Sequence, residues 1–230
     1  MPFKICVLLI VLFCSLKVYS NQNSEFCGWG AVFHSQRLNE KLGLHLDVQA
    51  RSADEFDYLK NILVRPGVTY FINKEMNVTL GYAWVNSKFK SDLLDVNLTE
   101  QRIWEQLIYL QKIGDVGLNH RLRFEQRFIE QVQGNVFSQR LRYFVRTLLP
   151  FSNQTPFTEG IFLGLQNELF FNVQNKVNGS FFDQNRAYVS LGYRFKPSFD
   201  LEMGYMNQRI KQRTEGLTNN ILQLAAYTRF

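Results

Sequence analysis

Arginine and glutamate recur at alternate positions along this chain, and that spacing carries the chemistry most worth pursuing. Arg121, Arg123 and Arg127 share a parity with Glu125, while Arg140, Arg142 and Arg146 form a second run and Arg186 and Arg194 a third. In an extended backbone, residues two apart point to the same face, so each run sets guanidinium groups in a row. A guanidinium stays charged, and its planar fork grips a carboxylate or phosphate through two hydrogen bonds. With Arg51 added, nine arginines face five acids: Asp47, Glu105, Glu125, Glu168 and Glu202. Such a wall either draws small anions or fills a narrow polar interior with its own ion pairs, and both readings stand on sequence alone.

Other chemistries fit less well. Nucleophilic catalysis from one strand needs a His and a Ser two positions apart, so that the base reaches the hydroxyl. His34 is followed by Ser35 on the opposite face and then by Gln36, His45 by Asp47, and His120 by Leu122. His45 and Asp47 share a face and read as ordinary interior polarity, so no enzyme activity is expected. There is no Cys pair, no His-x-x-x-His and no calcium-loop spacing, so no metal or other cofactor is expected. Asp54, Glu55 and Asp57 make an acidic turn that reads as a solvated loop. The cations sit on alternate strand positions instead of one basic outer face, which argues against nucleic acid.

The elements that must carry these residues are strands. Leu42, Leu44, Leu46, Val48 and Ala50 alternate with His45, Asp47, Gln49 and Arg51; Met76, Val78, Leu80, Tyr82 and Trp84 repeat the pattern. Eleven candidate strands follow, near residues 26–37, 42–51, 59–72, 76–87, 100–112, 116–130, 136–149, 159–173, 184–196, 199–211 and 219–230, with no helix between them. Short turns alternate with longer polar loops, except that 150–158 is long and 131–135 short for its side. A soluble barrel would turn the apolar stripes inward; a transmembrane barrel turns them outward, between aromatic girdles, around a polar lumen. The girdle expected here is Tyr70, Tyr82, Trp84, Trp104, Tyr193, Phe195 and Tyr205. Tilted strands of ~9–11 residues suffice to cross.

The first twenty residues read as a cleavable signal peptide: Lys4, an apolar run from Ile5 to Phe13, and Ser20 at the end. Residues 21–230 then form one exported barrel, whose net charge falls from +6 to +4 with the loss of Lys4 and Lys17. Composition fits this. The chain is 46% hydrophobic and 15% aromatic, with 21 Phe, yet its mean hydropathy is only -0.19, as expected when opposed faces average out. Disorder, a disulfide scaffold and a basic tail protein are all excluded.

Several motifs also match a known family. The segments Gly28-Trp29-Gly30, Arg65-Pro66-Gly67-Val68-Thr69-Tyr70, Leu80-Gly81-Tyr82, Arg102-Ile103-Trp104-Glu105-Gln106 and Arg121-Leu122-Arg123-Phe124-Glu125-Gln126-Arg127-Phe128 resemble the bacterial domain of unknown function 2490. The resemblance covers essentially the whole exported chain. It implies an outer-membrane β-barrel of a kind common in the Bacteroidetes, and it transfers no activity. The ending, with Leu222, Leu224, Ala226, Thr228 and Phe230 on one face, resembles the C-terminal signal read by the barrel-assembly machinery of Gram-negative bacteria, with Thr228 where an aromatic is usual.

The sequence therefore predicts an all-β, antiparallel transmembrane barrel of 10–12 strands in the bacterial outer membrane. Its expected partners are membrane lipid, lipopolysaccharide and the assembly machinery. Its expected role is passage or docking of small, anionic solutes, against a structural barrel with a filled lumen or a lipid-modifying enzyme; its oligomeric state is open. Twelve strands are preferred, because single-chain bacterial barrels have an even number. That preference conflicts with the first candidate strand, which begins on the long-loop side while Phe230 ends on the short-turn side.

Overall fold

Period-two alternation leaves each strand one face to bury, and closing the wall on itself buries it without leaving an open edge. The computed structural model describes residues 23–53, 55–90, 95–114, 116–152, 154–176, 178–213 and 216–230; the expected signal segment and Asp54 lie outside the described residues. The strands are β1 (Asn23–Arg37), β2 (Leu42–Ala53), β3 (Tyr58–Phe71), β4 (Met76–Phe89), β5 (Val96–Ile113), β6 (Val116–Gln131), β7 (Gly134–Pro150), β8 (Gly160–Gln174), β9 (Phe182–Lys196), β10 (Phe199–Lys211) and β11 (Gly216–Arg229). Each pairs with its neighbours in chain order, and β1 closes on β11.

The wall has eleven strands, one fewer than the even number the sequence favoured, and it is not wholly antiparallel. β1 and β11 run parallel in register from Asn23↔Leu217 to Ser35↔Arg229. The reason is geometric: an even count places both chain ends at one rim, whereas here β1 starts at the long-loop rim and β11 finishes at the short-turn rim. Two parallel end strands require an odd total, and the conflict over the first strand disappears.

The short-turn rim carries the connections 38–41, 72–75, 114–115, 151–159 and 197–198. Two of these turns use one device. The Asn39 side-chain oxygen accepts from the amides of Lys41 and Leu42, and the Asn73 oxygen accepts from Glu75 and Met76. An Asx turn of this kind satisfies backbone donors where the ladder stops. Gly114, at φ 64°, supplies the left-handed residue that a tight hairpin needs.

The apolar stripes face outward. Leu80 is 59% exposed and Leu191 58%, while the alternate positions Thr79 and Ser190 are buried. The interior is polar except for small apolar packets, of which Cys27, Trp29, Tyr188, Met206 and Ile221 make one, drawn from β1, β9, β10 and β11. Two others are built on missing side chains: a Cβ on Gly81 would lie 2.2 Å from the Trp104 ring and one on Gly192 2.3 Å from the Phe162 ring. Glycine here is a hollow for an aromatic ring on the adjacent strand.

Candidate functional site

Arg121, Arg123, Glu125 and Arg127 all point inward from β6, because alternation turns Leu122, Phe124, Gln126 and Phe128 outward. Glu125, 1% exposed, is the centre of the interior. Arg140 donates to its Oε2 through Nε at 3.0 Å and Nη2 at 2.7 Å, and Arg142 donates to its Oε1 through Nη1 at 2.6 Å. Arg142 turns its other edge to Glu168 Oε1, at 3.0 and 2.7 Å, where Arg121 also donates at 2.7 Å. Towards the long-loop rim, Glu100 accepts from both Arg102 and Arg127, and Asp183 accepts from Arg140 at 3.2 Å. Towards the short-turn rim, Arg146 donates to Glu202 and to the Tyr227 hydroxyl, each at 2.6 Å, and Asp200 receives Arg194 and Arg229. Asp47 receives Arg65 at 2.6 Å. Such fork-to-carboxylate contacts are the strong class of hydrogen bond, and every member is mostly desolvated.

The same guanidinium groups lie on aromatic faces. Arg142, Arg186 and Arg140 sit 4.5, 4.7 and 5.1 Å from the Phe170 ring centre, Arg51 lies 3.9 Å and Arg186 5.1 Å from Trp29, and Arg123 lies 4.4 Å from Trp104. A ring face accepts a desolvated cation that no carboxylate reaches. This matters because the ion pairing is incomplete. Among the described residues, Arg51 and Arg123 have no carboxylate within 4 Å; their forks close on Gln49 and Gln106 side-chain oxygens instead. Arg186 has one ion pair among them, to Glu168 at 3.9 Å.

Below this layer, towards the short-turn rim, lies a cavity of about 850 Å³. Arg51, Arg65, Arg121, Arg123, Arg142 and Arg186 line its floor with Asp47 and Glu168. The whole lining carries ten lysines and arginines against four carboxylates. Glu125, Arg140, Arg102 and Phe170 do not line it; each is less than a tenth exposed, so they form a closely packed layer beyond the cavity. His45 and Asp47 both line the cavity, as their shared parity implied, and His45 Nε2 is buried with no hydrogen-bond partner among the described residues. Outside the strands, Asp57 accepts from Lys90 at 2.8 Å and holds that ammonium above its ordinary value.

Two expected placements are corrected, both on β5. Trp104, expected in the outer girdle, is 1% exposed inside the barrel, seated in the hollow of Gly67 and Gly81 with Arg123 on its face and the His45 ring edge-on at 5.7 Å. Glu105, expected in the lumen, therefore points outward, where it accepts from Gln126 at 3.3 Å. The remaining girdle residues, Tyr70, Tyr82, Trp84, Tyr193, Phe195 and Tyr205, are all exposed on the outer face. A further outer ring stack, Tyr109, His120 and Tyr143, joins them, with His120 Nδ1 2.9 Å from the Tyr143 hydroxyl. The other expected interior residues, Arg51, Arg121, Arg123, Glu125, Arg127, Arg140, Arg142, Arg146, Glu168, Arg186, Arg194 and Glu202, all point inward. Arg65, Arg102, Glu100, Asp183, Asp200 and the aromatic shelf of Trp29 and Phe170 were not foreseen. Parity on β5 would have found Arg102 once Trp104 was taken inside.

These features define a class: a closed eleven-stranded β-barrel with an ion-paired interior and a cationic cavity. Its fold is compatible with an outer-membrane protein. Residues 26–219 match the family described as a protein of unknown function, DUF2490, and the chain belongs to that family. It is also 26% identical to an uncharacterised protein of Methylorubrum extorquens over 232 aligned residues, 97% of each chain.

Proposed function

We propose that the protein is an outer-membrane barrel whose lumen is a blind receptacle for small anions, entered from the periplasmic, short-turn rim, and not a conduit. The outward apolar stripes with their exposed aromatics, strands of 12–18 residues and the outward series Leu222, Leu224, Ala226, Thr228 and Phe230 support membrane placement and delivery by the assembly machinery. Lipid and lipopolysaccharide are then the partners of the outer wall. The single observation that carries the docking role is the vertical order of the interior: a buried Arg–Glu layer closes the lumen, and directly beneath it an excess of cations lines an 850 Å³ cavity.

Planar-bilayer recording tests this. The purified chain is expected to give no conductance steps in any salt, and the doubly truncated Glu125→Ala, Arg142→Ala variant is expected to give them, because together these side chains span the middle of the lumen. Steps from the unaltered protein would overturn the receptacle and restore the pore.

A further inference from the structure

We infer that the receptacle takes an amphipathic oxyanion, a carboxylate or phosphate head on a short apolar body, held head-down; this rests on the docking reading above. Three observations at different depths carry it.

At the floor, positive charge and hydrogen-bond donors exceed what the protein supplies to answer them. Arg51 and Arg123 have no carboxylate in reach among the described residues. Arg65 and Arg121 both line the floor, and the Nε of each is buried with no acceptor among the described residues. A buried donor left unmade is costly, and native interiors rarely keep several together. A single oxyanion in the cavity would offset the excess charge of the floor, which sets six arginines against Asp47 and Glu168, and would meet the guanidinium edges turned to the cavity in the geometry they prefer.

Nearer the rim the lining changes character. Phe33 lies beyond Trp29 along β1 and stacks on Tyr227 with ring centres 4.8 Å apart; Ile108 and Leu110 lie beyond Gln106 along β5, and Leu148 beyond Arg146 along β7. These side chains form an apolar collar that begins beside the floor, with Ile108 opposite Arg121 and Phe33 opposite Asp47, and reaches the rim at Leu110 and Leu148. Inorganic phosphate would satisfy the floor and leave the collar wet; a neutral apolar molecule would do the reverse and strand the arginines. Only a molecule with both parts matches both layers.

At the mouth, Lys74, Lys112 and Arg229 stand with Glu75 and Asp200, the last paired to Arg229, so the rim keeps a small positive excess. Cations there raise the local concentration of an incoming anion and orient it before contact.

The test is calorimetric titration of the whole chain in lipid nanodiscs, with empty nanodiscs subtracted, using acetate, butanoate, hexanoate, octanoate, octyl phosphate, octanol and inorganic phosphate. Affinity is expected to rise about fourfold per methylene along the carboxylates, the gain for burying a CH₂. Octyl phosphate against octanoate identifies which head the floor prefers. Arg51→Gln and, separately, Arg121→Gln should weaken every anion about tenfold, the loss of one charge-assisted contact, with circular dichroism confirming the folded barrel. Leu110→Ser should weaken octanoate and octyl phosphate several-fold and leave inorganic phosphate unchanged. Octanol binding as tightly as octanoate would overturn the inference. Acetate and inorganic phosphate matching octanoate would overturn the amphipathic ligand and leave anion docking intact, whereas conductance of the unaltered protein would remove the receptacle itself.

Discussion

Replacing Glu125 by glutamine removes the charge at the centre of the interior with almost no change of shape. Its carboxylate answers Arg140 through two hydrogen bonds and Arg142 through one, and Arg102 stands 3.8 Å away. Removing one partner of a buried pair costs about 3–5 kcal/mol, because the surviving charge is left desolvated. The structure places Glu125→Gln at the lower end, about 3 kcal/mol, since each arginine keeps a second carboxylate: Asp183 for Arg140, Glu168 for Arg142 and Glu100 for Arg102. Equilibrium urea unfolding of the chain in lipid vesicles reads this as a lower midpoint at unchanged slope. The loss should persist at high salt, because buried pairs are little screened. The exposed pair Lys88–Asp95, at 2.8 Å, is the control: Lys88→Gln should cost less than about 1 kcal/mol. A Glu125→Gln cost under about 1 kcal/mol, or one that salt erases, would mean that water reaches the layer, and the blocked lumen would have to be abandoned.

Three other outcomes follow from particular contacts. Gly192→Ala drives a methyl into the Phe162 ring and should cost about 1–3 kcal/mol, falling towards zero in a Phe162→Ala background, as a double-mutant cycle in urea would show. Trp104→Ala should cost about 3–5 kcal/mol by emptying a filled hollow, whereas Trp84→Ala, exposed on the outer face, should cost less than half as much in the same assay. In intact cells a membrane-impermeant maleimide should label Ser24→Cys at the long-loop rim and reach Glu40→Cys only after the outer membrane is opened; the reverse pattern would invert the proposed orientation.

The wall was readable in the sequence because it is written in a strict period of two with turn residues between runs, and both irregular connections, 150–158 and 131–135, fell where the structure has them. The interior was readable where arginine and glutamate held one parity against plainly apolar neighbours, as on β6 and β7. It failed on β5, where Arg102 and Glu105 occupy opposite faces and a tryptophan stands between them. Residue type favoured the ring outside; the hollow made by Gly67 and Gly81 on two other strands decided otherwise, and that hollow is a property of register, not of local pattern. Arg65 was hidden for another reason: its inward neighbours on β3, Leu63 and Gly67, are not polar, so no polar parity marks that face beside it in a strand otherwise read correctly over 59–72. The partnerships that fill the interior, such as Arg121 with Glu168 and Arg146 with Glu202, join residues far apart in sequence and depend on the curvature of the closed wall.

The β1–β11 seam bears on how the molecule comes into being. Ten of the eleven strand pairings link neighbours in the chain and form as hairpins, each closing a short loop. The seam is a parallel pair whose crossover connection is the rest of the wall, and its hydrogen bonds, such as His34 to Thr228, span 194 positions. Loop-closure entropy makes a contact of that separation the last to be favourable. Until it forms, the sheet has two open edges. The central ion pairs, such as Glu125 with Arg140 and Arg142, already lie on neighbouring strands; what waits for the seam is the packing of Cys27 and Trp29 against Tyr188, Met206 and Ile221 and the seat of Arg186 on the Trp29 ring.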